Sequence, residues 1–282
     1  MTKIYLFVAM SLIQNYIKKV FLKSLFSLLI GKDKLRFYET IDWSQSSAGF
    51  HRTDFNYPLY YSSQNFHGIS GGYLNPVAAI TYDPVTALAS PPHEAWTRQQ
   101  LISKILGQPQ TVLDLGCGTG STTLLLKQAF RSAVVTGLDL SPYMLVLANH
   151  KAQQQQLNIR WLHGLSEDTG FETATFDLIT ASFLLHETPP QITQLILQEC
   201  FRLVKPGGQL ILLDGNQKRL SHLQWLIKIF QEPYSKLYAA GNLDVWMKTA
   251  RFEQVQTKPV GWLNQLTQGI KPNNFTSCRE TT

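Results

Sequence analysis

Cysteine is scarce in this sequence. The three residues, Cys117, Cys200 and Cys278, are odd in number and fall at no CxxC or metal-ligand spacing. That argues against a disulfide framework or a zinc site, so no metal ligand set is expected, and it suits a reducing compartment. A long uncharged apolar run is also missing. Residues 4–30 are apolar at most positions but are interrupted by Gln14, Asn15, Lys18, Lys19 and Lys23, whereas a spanning helix needs about 20 largely uncharged apolar residues. Beyond residue 36 there is no surplus of positive charge. The net +6 is carried entirely by residues 1–36, where seven basic side chains face Asp33 alone, while residues 37–282 hold 18 basic and 18 acidic side chains. Nucleic-acid binding needs clustered Lys and Arg to meet phosphates, so a neutral body argues against that partner. No internal repeat or low-complexity segment is present.

What is present is centred on Thr111-Val-Leu-Asp-Leu-Gly-Cys-Gly-Thr-Gly120. A short apolar run ends in Asp114 and then in three glycines at alternate positions, the pattern of a buried strand turning sharply into a helix with its amides open to a ligand. A second apolar run, Ala133 to Leu138, ends in Asp139, 19 residues past Gly120. That is the spacing at which a carboxylate at the end of the second strand of a βαβ unit reaches a ribose hydroxyl pair, so a nucleoside ligand is expected. Ser121 occupies the third glycine slot of the GxGxxG fingerprint, which weakens a nicotinamide reading.

Strand and helix patterns alternate after residue 96: helix from Trp96 to Leu106, strands at 110–115, 133–139, 158–162, 176–182 and 209–214, helices near 120–130, 142–156, 190–204 and 219–237. Such alternation implies a parallel sheet with helices on both faces. Lys205-Pro-Gly-Gly208 reads as the turn between one helix and the next strand. With 282 residues and 44% apolar content, the chain can bury one α/β core with about 100 residues left over.

The residues left over lie mainly at the N-terminus. Ile13, Ile17, Val20, Phe21, Leu25 and Leu28 fall at helical spacing with lysines mostly on other faces, giving a basic amphipathic helix within residues 1–36. It suits the surface of an anionic bilayer. The alternatives are docking of its apolar stripe on the catalytic domain or a cleaved targeting peptide, though no small-residue cleavage site is apparent, and Met10 is a second candidate start. Residues 37–95 interleave Tyr38, Trp43, Phe50, Phe55, Tyr57, Tyr60, Tyr61, Phe66, Tyr73 and Tyr82 with glycines and polar residues and keep no helical or strand period. They read as a long loop serving as a lid, with packing of the domain flank as the plainer reading for any single ring.

Four stretches together, Val112-Leu-Asp-Leu-Gly-Cys-Gly-Thr-Gly120, Gly137-Leu-Asp-Leu-Ser-Pro142, Phe176-Asp-Leu-Ile-Thr-Ala-Ser182 and Leu203-Val-Lys-Pro-Gly-Gly-Gln-Leu-Ile211, resemble the class I S-adenosylmethionine-dependent methyltransferases, in the branch that contains quinone-biosynthesis enzymes. The resemblance covers roughly residues 95–260 and implies a Rossmann-like, doubly wound, mostly parallel seven-stranded sheet with an antiparallel last strand, as a methyltransferase domain over residues 96–270 with a tail over 271–282. It implies S-adenosyl-L-methionine as cofactor, held by Asp114, Gly116, Cys117, Gly118, Gly120, Asp139, Leu140, Ser166, Glu167 and Ser182. Asp139 would accept the ribose hydroxyls, and Leu140 would pack on adenine. Cys117 reads as a small packed member of the loop rather than a reactive thiol. Leu165 stands where the family shows an acidic residue, and Arg251 where it usually shows glycine. The lid is expected to cover the cofactor and shape the acceptor pocket.

The end of the fourth strand, Ser182 to His186, lies where the methyl group must travel. His186 is the best placed candidate base, with a packed or hydrogen-bonding role as the alternative; His67 and Glu94 are weaker candidates, and Glu187 reads as a helix-start charge. The Asn- or Asp-Pro-Pro-aromatic motif of amino-group methylation is missing. The expected reaction is methyl transfer to a small, apolar or aromatic, lipid-linked acceptor by a cytoplasmic enzyme at a membrane surface. The rivals are a methyltransferase of a soluble secondary metabolite and a cofactor-binding module without turnover.

Overall fold

The computed structural model describes residues 32–273 apart from residues 53, 90–92, 224, 226, 228 and 229. The basic amphipathic stretch over residues 4–30, Cys278 and most of the 271–282 tail lie outside the described residues. In chain order the helices are α1 (Lys32–Thr40), α2 (Trp43–Ala48), α3 (Leu59–Ser62), α4 (Pro76–Ala89), α5 (Glu94–Ile102), α6 (Ser121–Ala129), α7 (Pro142–Gln154), α8 (Pro190–Leu203), α9 (Gln217–Leu220), α10 (Ser235–Ala239) and α11 (Leu243–Thr249). The strands are β1 (Thr111–Leu115), β2 (Val134–Asp139), β3 (Arg160–His163), β4 (Phe176–Ser182), β5 (Val204–Gly215), β6 (Glu253–Val260) and β7 (Asn264–Ile270).

The strands form one sheet in the order β3-β2-β1-β4-β5-β7-β6. Pairing is parallel from β3 through β5 and antiparallel on both sides of β7, which is the expected doubly wound sheet with its last strand reversed. Side chains alternate across it with period two. Leu113 and Leu115 of β1, Ile179 and Ala181 of β4, and Leu210 and Leu212 of β5 pack on one face with Ile196, Leu197 and Cys200 of α8 and Met247 of α11. Val112, Leu178, Ile211 and Leu213 pack on the other with Leu101 of α5 and Leu126 of α6. The order reverses between β1 and β4, and a doubly wound sheet opens its ligand crevice at the carboxyl ends of the strands there.

Three local expectations are revised. Residues 37–95 are not a long loop: they fold as α1–α4 with short turns at Phe66–Gly68 and Gly72–Leu74. Most of these helices are shorter than three turns, too short to show a period, and they hold by caps and by packing. Asp42 accepts the Gln45 amide at 3.0 Å, and Ala78 and Ala79 of α4 pack with Met144 and Leu147 of α7 beside Trp43, Tyr73 and Tyr82. The helix expected over 219–237 is broken twice: α9 ends at Leu220, Trp225, Ile227 and Phe230 are helical again, and α10 starts at Ser235, after Pro233, a residue that cannot continue a helix from its interior. The turn at Lys205 to Gly208 is absorbed into β5, where pairing with β4 slips between Phe176 and Leu178 and Gly207 takes a φ of 77°. Arg251 takes a φ of 73°. It adopts the left-handed turn that glycine would supply, at a cost glycine avoids.

Candidate active site

A cavity opens at the carboxyl ends of β1, β2 and β4, where a doubly wound sheet holds its ligand. One wall comes from the sheet: Gly116, Gly118, Asp139 and Leu140, with Met144, Ser166 and Glu167. Gly116 and Gly118 have φ of 58° and 54°, which a side chain would disfavour. A Cβ on Gly116 would sit 2.6 Å from Leu184 Cδ1, and one on Gly118 3.3 Å from the Tyr82 ring. Asp139 is nine-tenths buried, and its Oδ2 accepts the Gly118 amide at 2.7 Å while Oδ1 accepts the Ser141 amide at 2.8 Å. Burial pushes its pKa up to about 6 against those two bonds. Each oxygen keeps a lone pair for a further donor, so the carboxylate is braced and can still receive a pair of hydroxyls.

The opposite wall is aromatic. Tyr60, Tyr61, Phe66, Tyr73 and Tyr82 from the N-terminal segment meet Phe183, Leu184 and Ile196 from the sheet domain. Phe66 and Tyr73 stack with centroids 5.0 Å apart, and Tyr61 stacks on Tyr73 at 6.2 Å. The Tyr60 hydroxyl donates to Glu167 Oε1 at 2.6 Å, so one lid side chain ties both walls. Helix α4 is tied to the glycine loop as well: Asp83 Oδ1 accepts from Thr119 Oγ1 at 2.5 Å and Oδ2 lies 2.6 Å from Lys151 Nζ. The Ser141 hydroxyl, which caps α7, donates to the Tyr73 carbonyl at 2.7 Å. Phe183 holds a φ of 59°, an outlier for an aromatic residue that turns the chain sharply where β4 ends.

Beside the aromatic wall is a buried polar cluster. Glu187 Oε1 accepts from Tyr73 Oη at 2.8 Å and lies 3.1 Å from His67 Nε2 and 3.7 Å from His186 Nε2. His186 Nδ1 is 2.5 Å from Asp214 Oδ1, and Asp214 also accepts the Leu185 amide at 2.8 Å and the Gly215 amide at 2.7 Å. Burial alone would lower the His186 pKa, but Asp214, Glu232 and Glu187 outweigh it and raise it to about 10. The same balance, with Glu187 as the main counterweight, raises His67.

A family model described as a methyltransferase domain matches residues 112–208. The chain is 33% identical over 142 residues to a demethylmenaquinone methyltransferase of Oceanobacillus iheyensis, covering 49% of this chain and 59% of that protein, so it spans about three fifths of that relative's length. To the demethylmenaquinone methyltransferase of Bacillus licheniformis it is 32% identical over 164 residues, covering 56% of this chain and 69% of that protein. The chain belongs to the class I S-adenosylmethionine-dependent methyltransferases. Its fold is shared with Haemonchus contortus phosphoethanolamine N-methyltransferase 2, solved with S-adenosyl-L-methionine, at a TM-score of 0.58 and 13% identity over 77% of this chain and 61% of that one.

Within this methyltransferase fold the expected cofactor residues divide into two groups. Gly116, Gly118, Asp139, Leu140, Ser166 and Glu167 line the cavity together. Asp114, Cys117, Gly120 and Ser182 are not among its lining residues and brace it instead. Asp114 is 1% exposed and accepts from Thr123 at 2.6 Å and Thr180 at 2.7 Å, and burial lifts its pKa to about 6 against those bonds. Its short strand end puts the side chain into the sheet rather than the crevice. Cys117 is buried, and burial raises its thiol, which fits a packed loop member. Gly120 is packed against Trp161, 2.8 Å from where a Cβ would lie, and the Ser182 hydroxyl accepts from Thr122 at 3.0 Å.

His186 is not among the residues that line the cavity, and with its pKa raised to about 10 beside Asp214 it keeps its proton at neutral pH, whereas a general base needs the neutral ring. Glu94 pairs with Arg98 at 2.7 Å in α5 and is likewise no base. Sequence reasoning missed Met144, Thr188 and above all Glu187, which lines the cavity although it reads as a helix-start charge. The adjacent Pro189 and Pro190 gave that reading. The hint against it was an acidic residue directly after the strand end that carries ligands in a doubly wound sheet.

Proposed function

We propose that the chain transfers the methyl group of S-adenosyl-L-methionine to a small aromatic or lipophilic acceptor. One observation carries this reading: Asp139, braced by two backbone amides at a glycine turn, lines the same cavity as the Tyr60 to Tyr82 aromatics. The first is a nucleoside-binding corner, and the second is a wall that suits a flat apolar ring. Residues 37–95, which carry Tyr60 to Tyr82, then act as a lid over this cavity. The sulfonium is already an activated electrophile, so the protein's task is to hold methyl and acceptor in line and exclude water. Relatives named demethylmenaquinone methyltransferases support a quinone-like ring as the acceptor. The basic, apolar residues 4–30 support delivery at an anionic membrane surface, where apolar burial and lysine attraction add; among the described residues no helix is long and apolar enough to cross a membrane.

The test is calorimetric titration of the protein and its Asp139→Ala variant with S-adenosyl-L-methionine, followed by transfer assays on demethylated quinols presented in detergent and in anionic vesicles. Binding that the variant loses, with a methylated ring as product, is the expected result. Binding without product on any quinol or on soluble phenols favours a binding module without turnover, a reading supported by the engagement of His186 with Asp214. Product from soluble phenols alone favours a secondary-metabolite enzyme.

A further inference from the structure

The cluster beside the aromatic wall is built from chain segments far apart in sequence. His67 comes from the Phe66–Gly68 turn, Glu187 from the turn after β4, and Glu232 from the stretch before α10. One ligand-capable atom of each lies within 4.8 Å of the others. His186 Nε2 adds a fourth donor atom, 3.7 Å from Glu187 Oε1 and 3.9 Å from Glu232 Oε1. Donors bound to one zinc ion at about 2.0–2.2 Å sit roughly 3–4 Å from each other, so these distances need only small adjustment.

Both imidazoles are oriented by their far nitrogens. His67 Nδ1 lies 3.0 Å from the Phe230 carbonyl, and His186 Nδ1 lies 2.5 Å from Asp214. A ring that donates from Nδ1 to a carbonyl or carboxylate presents an Nε2 lone pair once that nitrogen gives up its proton to an arriving ion, which is how metal-bound histidines are held; before that, His67 Nε2 lies 2.8 Å from Tyr73 Oη. Glu232 Oε2 accepts from Ser235, leaving Oε1 turned to His186. Glu187 Oε2 is buried without a hydrogen-bond partner among the described residues, on a side chain only 9% exposed. A buried carboxylate oxygen left bare costs free energy that a ligand would recover. His67 itself has a φ of 54°, so the turn is bent to place its ring here.

We propose that His67, Glu187 and Glu232, with His186 as a fourth donor, bind one divalent transition-metal ion, with zinc as the ion that fits best. Mixed imidazole and carboxylate donors suit zinc and its first-row neighbours, whereas magnesium and calcium prefer oxygen alone. The ion staples the N-terminal segment, through His67, to the sheet domain, through Glu187 and His186, next to the aromatic wall. The four ligands are scattered over 166 positions of the sequence, which is why the absence of any metal motif there does not speak against them. This site stands whether or not the chain transfers methyl groups.

The full chain is stripped with EDTA and titrated with Zn²⁺, Mn²⁺ or Mg²⁺ alone, while heat, bound metal and Tm are followed. One tightly bound Zn²⁺ per chain with a raised Tm is expected, and no response to Mg²⁺. His67→Ala and Glu232→Gln each weaken zinc binding by about 100-fold or more while the far-UV spectrum stays that of the parent. Asp214→Asn, which leaves the four donors in place but removes the carboxylate that supports His186 and accepts the Leu185 amide, weakens it by about 10-fold. A chain that takes up no Zn²⁺, or variants that bind it as tightly as the parent, overturns the proposal and leaves the cluster as imidazolium and carboxylate pairs.

Discussion

The two walls of the cavity are made in different ways. The sheet wall is mostly backbone: two glycines in left-handed conformations and one carboxylate whose oxygens are fixed by the Gly118 and Ser141 amides. The lid wall is mostly side chain, with Tyr60, Tyr61, Phe66, Tyr73 and Tyr82 stacked on one another and carried by short helices. A backbone wall tolerates little change in sequence, because an added Cβ crowds Leu184 at Gly116 and the Tyr82 ring at Gly118. A side-chain wall can be recut ring by ring without disturbing the sheet.

Breaking the lid wall at its most buried ring has the largest expected effect. Phe66 is 1% exposed, and truncation of a buried Phe to Ala costs about 3–5 kcal/mol. Phe66→Ala should therefore loosen the N-terminal segment, seen as faster amide exchange over residues 59–89, while exchange in β1 and β4 stays slow. Breaking the sheet wall comes next. Asp139→Ala should weaken S-adenosyl-L-methionine binding by about 2 kcal/mol or more, the scale of charge-assisted hydrogen bonds, and lower Tm as well, because the Gly118 and Ser141 amides lose their acceptor.

The comparison sharpens with pH. The Asp139 pKa is raised to about 6, so its carboxylate is charged above that pH and protonated below it. Cofactor binding that needs the charged form weakens as pH falls through about 6, approaching tenfold per unit below that, and Asp139→Asn should flatten the profile; calorimetry at pH 5, 6 and 7 checks both. The smallest effect is expected from Tyr60→Phe. It removes the hydrogen bond to Glu167 Oε1, a loss of about 1 kcal/mol where water replaces the hydroxyl; acceptor KM and cofactor Kd should each rise a few-fold at most.

How much of this was legible in the sequence follows the same division. The parallel sheet and the cluster of Gly116, Gly118, Asp139 and Leu140 were readable because short apolar runs alternating with helical patterns and glycines at fixed offsets are local signals. Asp114 and Ser182 sit in the right motifs, yet whether a strand-end side chain faces the crevice or the neighbouring strand depends on register, which pairing with β4 decides. The lid helices were not readable because they hold by contact with α7. Glu187 was mistaken for a capping charge, since its partners His67 and Tyr73 lie more than 100 residues away in the chain.

One small bond set has a wider reach. Asp83 of α4 holds Thr119 in the glycine loop and Lys151 of α7 together, so the covering helix and the loop beneath it share a carboxylate. Any molecule that stiffens the loop also raises the free energy needed to lift the helix, and thermodynamic reciprocity makes the two gains equal. Slowed amide exchange in residues 76–89 then serves as a gauge of occupancy at a site those residues only partly touch. Cutting the bond with Asp83→Asn uncouples the gauge from the site.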